Sequence, residues 1–174
     1  LEPPNDDGGH GAEIPRLRFT YDGFNVTKPH KAAILPYLDA KRCRVNAVNT
    51  VVRDEKGGWT GYNTDIIGFA GDLKALAGDV RGMLTLLVGA GGAAAAVAEA
   101  LDAAGADLYI YNRTPAKAEA LAREYRAKFA PDLLGIAPRL IVNASSVGNV
   151  SPLPETADLS ELRYAYDLVY SPPR

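Results

Sequence analysis

The chain has 174 residues, enough for one domain or two small ones, with 47% hydrophobic residues, 23% charged residues and a formal net charge of −2. That balance gives no support to a nucleic-acid binder, and the longest apolar run, Leu84–Ala98, is broken by glycines and so excludes a membrane span there. Cys43 is the only cysteine and the two histidines lie far apart, so no internal disulfide can form and no metal site is expected; with residues 1–11 polar rather than signal-like, a cytoplasmic location is expected.

Residues 1–15 read as a loop or disordered lead-in. Leu17–Tyr21 reads as a short strand. Asn46–Arg53 alternates and is β-branched, which predicts another strand. Glu55–Gly58 then supplies a turn, and Trp59–Tyr62 a returning strand. Ile66, Phe69, Ala70, Leu73, Leu76 and Ala77 recur at helical spacing. They predict a helix over Asp65–Ala77, with Thr64 or Asp65 as its cap.

The pattern changes at Gly82. Thr85–Val88 is continuously apolar, as a parallel strand buried on both faces must be. An alanine-rich helix, Ala94–Ala104, follows and ends at Gly105. Leu108–Tyr111 is the next buried strand. Thr114 and Pro115 suit the N-cap and first position of a helix running to about Phe129. Arg139–Ala144 and Tyr164–Tyr170 complete the strands. The alternation of strand and helix predicts a βαβ architecture with a parallel sheet.

Gly89-Ala90-Gly91-Gly92-Ala93-Ala94 fits G-x-G-x-x-G/A between a strand and a helix, the setting in which this string cradles a dinucleotide pyrophosphate. Gly89 permits the tight turn, Gly91 lets the backbone approach the phosphates, and Ala94 is small enough for close helix–strand packing. The helix N-terminus adds N–H donors and a partial positive charge. The end of the second strand discriminates between nucleotides. NAD sites usually place a carboxylate there, whereas this chain places Asn112, Arg113 and Thr114, with Lys117 one turn on. A guanidinium binds a 2′-phosphate that a carboxylate would repel, so the cofactor is expected to be NADP.

Three strings in the first half interrupt apolar stretches with polar residues, which is costly in a core but useful in a cleft that grips a hydroxylated ligand. They are Phe24–Lys31 (with NVTKPHK), Asn46–Thr50 (with AVNT) and Gly61–Asp65 (GYNTD). Together with GAGGAAAAVAEAL, YNRTPAKAEAL, VNASSVG and DLVYSP, in this order, they resemble the shikimate dehydrogenase family. The resemblance covers nearly everything from Gly23 to Pro172.

That resemblance implies reversible hydride transfer between NADP(H) and the 3-dehydroshikimate/shikimate pair, a step of aromatic amino-acid biosynthesis. It implies Lys31 as the catalytic lysine and Asp65 as its carboxylate partner. Thr27, Asn49 and Asp65 would hold substrate hydroxyls, and Tyr170 would lie on the substrate side. Gly89, Ala90, Gly91, Gly92 and Ala93, with Asn112, Arg113, Thr114 and Lys117, match the cofactor loops. Asn143, Ser145 and Gly148 match a loop near the nicotinamide half, and Leu168 a residue beside the nicotinamide. His30 and Cys43 are expected to have packing or surface roles.

The implied fold is α/β: a Rossmann-type parallel-sheet domain over 79–174, and part of a smaller α/β substrate-binding domain over 1–78. Partners are expected to be the small-molecule substrate alone, with neither nucleic acid nor membrane, in a monomer or homodimer. Family members also carry a serine-bearing N-terminal segment and a C-terminal glutamine that contact substrate. Neither has a counterpart in this sequence, so the second domain is expected to be C-terminally incomplete relative to the family; a protein that lacked both segments would have severely weakened hydride transfer. An NAD-preferring quinate/shikimate relative and a nucleotide-binding module without catalysis stay open as alternatives.

Overall fold

The computed structural model describes residues 17, 20–27, 29–145 and 153–168. The chain divides into two compact units, Leu1–Thr64 and Asp65–Arg174.

The first unit is built on a four-stranded sheet of β1 (Gly23–Asn25), β2 (Ala40–Lys41), β3 (Thr50–Arg53) and β4 (Trp59–Tyr62), in the order β1-β3-β4-β2. Both β1 and β4 run antiparallel to β3, and β2 runs parallel to β4. The β3–β4 hairpin forms because Asp54 closes its turn. The Asp54 carboxylate accepts the N–H groups of Lys56 and Gly58 at 2.9 and 2.8 Å, and Gly57 takes φ +82°. Val51 points inward from β3 and joins Val26, Ile34, Val48 and Trp59 in the core. Phe24 meets the Trp59 ring edge-on at 5.0 Å.

Two sequence expectations differ here. Leu17 and Thr20 are helical, and the Tyr21 N–H donates to the Leu17 carbonyl at 3.1 Å, so Leu17–Tyr21 is not a strand. The strand expected over Asn46–Arg53 begins only at Thr50. The Val48 N–H leaves the ladder and donates to the Lys31 carbonyl at 2.8 Å.

Helix α1 (Thr64–Ala77) starts at the boundary between the units. It buries Phe69 and Leu73 in the second unit's core, whereas a division at residue 78 keeps it with the first. The cap expected at Thr64 or Asp65 is displaced, because Thr64 is already the first helical residue.

The second unit holds a parallel sheet of β5 (Leu84–Val88), β6 (Asp107–Tyr111), β7 (Lys128–Phe129), β8 (Leu140–Asn143) and β9 (Tyr164–Asp167). Its order is β7-β6-β5-β8-β9, with every pair parallel. Chain progression therefore runs outward in one direction from β5 to β7 and in the other from β8 to β9, which is the Rossmann-type arrangement. Alternate residues of the central strands feed two cores. Leu87, Ile110 and Val142 lie on one face, and Leu86, Val88 and Ile141 on the other.

Helix α2 (Gly92–Ala104) lays Ala94, Val97, Ala98 and Leu101 on the sheet as one buried stripe, and Gly105 ends it in the left-handed region at φ +75°. Helix α3 (Pro115–Glu124) is shorter than the helix expected to reach Phe129. Arg126 adopts φ +48°, and the Ala127 N–H returns to the Ala122 carbonyl at 3.1 Å. This is a Schellman-type stop made without glycine. It frees Lys128–Phe129 to pair with Tyr109–Ile110 as β7.

Candidate active site

In the first unit, the backbone knits the three polar strings together. The Val26 N–H donates to the Asn49 carbonyl, and the Val48 N–H to the Lys31 carbonyl, both at 2.8 Å. Thr27 and Lys31 are thereby anchored on either side of the segment that carries Asn49. The Asn49 N–H donates to the Tyr62 carbonyl at 3.0 Å, and buried Asn63 donates from Nδ2 to the Ala47 carbonyl at 2.8 Å. Between Thr27 and Lys31 the chain turns tightly, with the His30 N–H on the Thr27 carbonyl at 2.8 Å. Thr27 is exposed, and Lys31 and His30 are half-buried.

The Asn49 side chain organises the start of α1. Its Oδ1 accepts the Thr64 N–H at 2.9 Å, the Thr64 hydroxyl at 3.2 Å and the Thr50 hydroxyl at 3.0 Å. A helix's first N–H groups lack intrahelical partners, so this acceptor acts as a cap supplied by the residue that precedes β3. Asp65 follows directly, exposed in the first turn of α1. The sequence reading gave Asn49 a substrate contact only and did not foresee this capping role.

In the second unit, Gly89 leaves the end of β5 with φ +117°. A β-carbon there would lie 2.9 Å from the carbonyl carbon and oxygen of Ala144, which follows β8. Gly89 is thus required by the fit of two strand ends as well as by its turn. A β-carbon on Gly91 or Gly92 would meet nothing within 4 Å, so the backbone of this turn is open to approach. Gly91 is the N-cap of α2 and supplies no side-chain cap, which leaves the helix end to an anion. Ala90 is half-buried and Ala93 exposed, while Ala94 is fully buried against the sheet.

At the end of β6, Asn112 turns its Nδ2 back onto the Thr114 carbonyl at 3.0 Å. Thr114 occupies the N-cap of α3, as expected, but its side chain makes no cap hydrogen bond. Arg113 and Lys117 are exposed. This loop presents cations and no carboxylate, which suits a phosphorylated ribose.

At the end of β8, Asn143 is buried and engaged by protein. Its Nδ2 donates to Asp167 Oδ1 at 3.1 Å, and its Oδ1 accepts the Ser145 N–H at 3.1 Å and the Ser145 hydroxyl at 2.7 Å. The Leu168 N–H donates to the Asn143 carbonyl at 2.9 Å, and the half-buried Leu168 side chain packs on the core. Asp167 was missed in the sequence reading. Its signal is an acidic residue ending an otherwise aromatic and apolar strand, Tyr164–Asp167. Tyr170 and Gly148 lie outside the described residues. Among the described residues no three His, Cys, Asp or Glu side chains gather as a metal site, and no helix is long and apolar enough to cross a membrane.

Comparison with known proteins gives the family. The Shikimate / quinate 5-dehydrogenase family profile matches residues 73–148. A shikimate dehydrogenase (NADP(+)) of Pyrobaculum aerophilum is 39% identical over 99% of this chain and 66% of its own length. One from Thermus thermophilus is 42% identical over 91% of this chain and 62% of its own. The chain thus spans less than two thirds of the length of these relatives. The crystal structure of Thermus thermophilus shikimate 5-dehydrogenase in complex with NADP(H) and shikimate is similar with a TM-score of 0.82 and 40% identity, over 97% of this chain and 66% of that one. A quinate dehydrogenase from Corynebacterium glutamicum in complex with NAD is similar with a TM-score of 0.76 and 31% identity, over 96% of this chain and 67% of that one. The chain belongs to the shikimate/quinate dehydrogenase family.

Proposed function

We propose that the chain catalyses the reversible NADPH-dependent reduction of 3-dehydroshikimate to shikimate, with the second unit binding NADP(H) and the first supplying substrate contacts. The observation that carries this reading is the first unit's hydrogen-bonded assembly of Thr27, Lys31 and Asn49, in a chain whose β5–α2 turn leaves the backbone at Gly91 open to approach.

When bound, the nicotinamide supplies or accepts the hydride. Reduction builds negative charge on the substrate's carbonyl oxygen, and that oxygen must gain a proton. The Lys31 ammonium stabilises the charge and donates the proton; in the reverse direction the amine takes it back. In this reading Asp65 has the role that the family resemblance implies, the carboxylate partner of the lysine. Thr27 and Asn49 hold hydroxyls, and Tyr170 serves the substrate side. Arg113, with Asn112, Thr114 and Lys117, grips the 2′-phosphate, while the Gly89–Ala93 backbone receives the pyrophosphate. Asn143, Ser145 and Leu168 serve the nicotinamide side. A cytoplasmic location and a monomer or homodimer belong to the same reading.

Calorimetric titration of the purified chain with NADP⁺ and NAD⁺, followed by a shikimate oxidation assay, tests it. Binding that favours NADP⁺, with shikimate-dependent formation of NADPH, is expected. Binding without turnover would leave only the nucleotide-binding module, a preference for NAD⁺ would favour the quinate/shikimate relative, and no binding would remove the dinucleotide reading altogether.

A further inference from the structure

Asn143 ends β8 beside β5, where the strand order of the sheet reverses, and it is only 9% exposed. Both ends of its amide are in use. Nδ2 faces the Asp167 carboxylate, its direct neighbour in the register of β8 and β9, and Oδ1 receives two donors from Ser145. A carboxylate only accepts hydrogen bonds. Asp167 at one end and the Ser145 N–H at the other therefore fix together which way the amide points, and Asp167 is the side chain of the two that does so. Having given its proton to Asn143, the Ser145 hydroxyl presents lone pairs to any ligand.

We infer that Asp167 is a positioning residue for the nicotinamide half of the cofactor site, acting through Asn143 to hold Ser145 as a hydrogen-bond acceptor. The inference rests on the dinucleotide reading above. Topology assigns the half. Arg113, past the end of β6, marks the adenosine side, and β8 lies on the opposite side of β5. A dinucleotide lying across the reversal point sends its second half over the ends of β5 and β8. The Ala144 backbone packs against Gly89, so Ser145 follows a segment with little slack. A group that donates, such as a carboxamide N–H or a ribose hydroxyl, is what this serine suits.

The test titrates the full 174-residue chain with NADP⁺ and, separately, with 2′,5′-ADP, which carries only the adenosine half. Wild type, Asp167→Ala and Asp167→Asn are compared, with melting temperatures recorded alongside. Asp167→Ala should weaken NADP⁺ about five- to tenfold and leave 2′,5′-ADP unchanged, as expected for loss of one charge-assisted hydrogen bond. Asp167→Asn still offers an amide oxygen to Asn143 and should recover most of the NADP⁺ affinity. Equal weakening of both ligands by Asp167→Ala, or weakening of neither, overturns the positioning role. If wild type binds neither ligand, the dinucleotide reading falls and takes this inference with it; if wild type binds both, only the inference is at stake.

Discussion

Gly89 and Ala144 are in backbone contact: a β-carbon on Gly89 would stand 2.9 Å from the Ala144 carbonyl group. Gly89 also holds φ +117°, in a region that L side chains rarely enter. Gly91, two residues on, has φ −95° and open space around its missing β-carbon. The two glycines should therefore fail differently. Gly89→Ala should cost roughly 2–4 kcal/mol of stability, from strain and overlap together. Gly91→Ala should melt within about 0.5 kcal/mol of wild type yet bind NADP⁺ at least tenfold more weakly, because its methyl group occupies ligand space. Melting curves and titrations on both variants decide this; equal destabilisation by both would contradict the division of roles.

Asn49 gives a second test of architecture. Its Oδ1 holds both donors of Thr64 and the Thr50 hydroxyl. Asn49→Ala removes that acceptor and should destabilise the chain by about 1–2 kcal/mol, the usual effect of losing a helix cap. Asn49→Asp keeps an acceptor oxygen and should lose less than half as much. A stability unchanged in Asn49→Ala would show that α1 does not depend on this contact.

These features differ in how far the sequence reveals them. The β3–β4 hairpin, the β5–α2 turn and the end of α2 were legible because alternation, Gly57, Gly89 and Gly105 mark them locally. The end of α3 was not. Its Schellman-type stop uses Arg126, and an arginine carries no turn signal. What holds it is tertiary: Arg126 donates to Asp102 of α2 from Nε at 3.0 Å, and its Nη2 lies 2.9 Å from the same oxygen. The site divides likewise. Lys31, Asn49 and Arg113 stand out as polar residues in recognisable strings. The use of Asn143 depends on Asp167, which is 24 residues away in sequence and becomes a neighbour only through the β8–β9 pairing.

Arg113 offers the test of cofactor choice. It is exposed at the end of β6 in a loop without a carboxylate. Arg113→Asp should weaken NADP⁺ roughly 10- to 100-fold, by removing a charge-assisted contact and adding repulsion, while NAD⁺ changes little. Titration with both nucleotides gives the ratio. An equal change in the two affinities would place the 2′-phosphate elsewhere.

Lys31 separates chemistry from binding. If it delivers the proton, Lys31→Ala should lower shikimate turnover about 10²- to 10⁴-fold and leave the NADP⁺ affinity of the chain unaltered. Steady-state kinetics with a parallel titration checks both halves of the statement. Turnover equal to wild type would exclude Lys31 from the reaction.

Tyr166 predicts the alkaline limit of stability. Its hydroxyl donates to Asp72 Oδ2 at 3.0 Å, and its ring meets Phe69 edge-on at 5.1 Å. Burial first, and then Asp72, raise its pKa above the ordinary 10.0. A raised value means that the folded state favours the neutral phenol. The stabilisation is full below pH 10 and is lost as the pH rises through the folded-state value. Tyr166→Phe keeps the ring but drops the hydrogen bond, which at this half-buried position stabilises by roughly 0.5 kcal/mol. The variant should melt about 1–2 °C below wild type at pH 8, and the gap should close above pH 10. Lys128, whose pKa is also raised, chiefly by its hydrogen bond to Asp107, is the same in both proteins. The difference between their pH profiles therefore isolates Tyr166. A gap that stays constant across pH 8–11 would show that the phenol does not couple to folding.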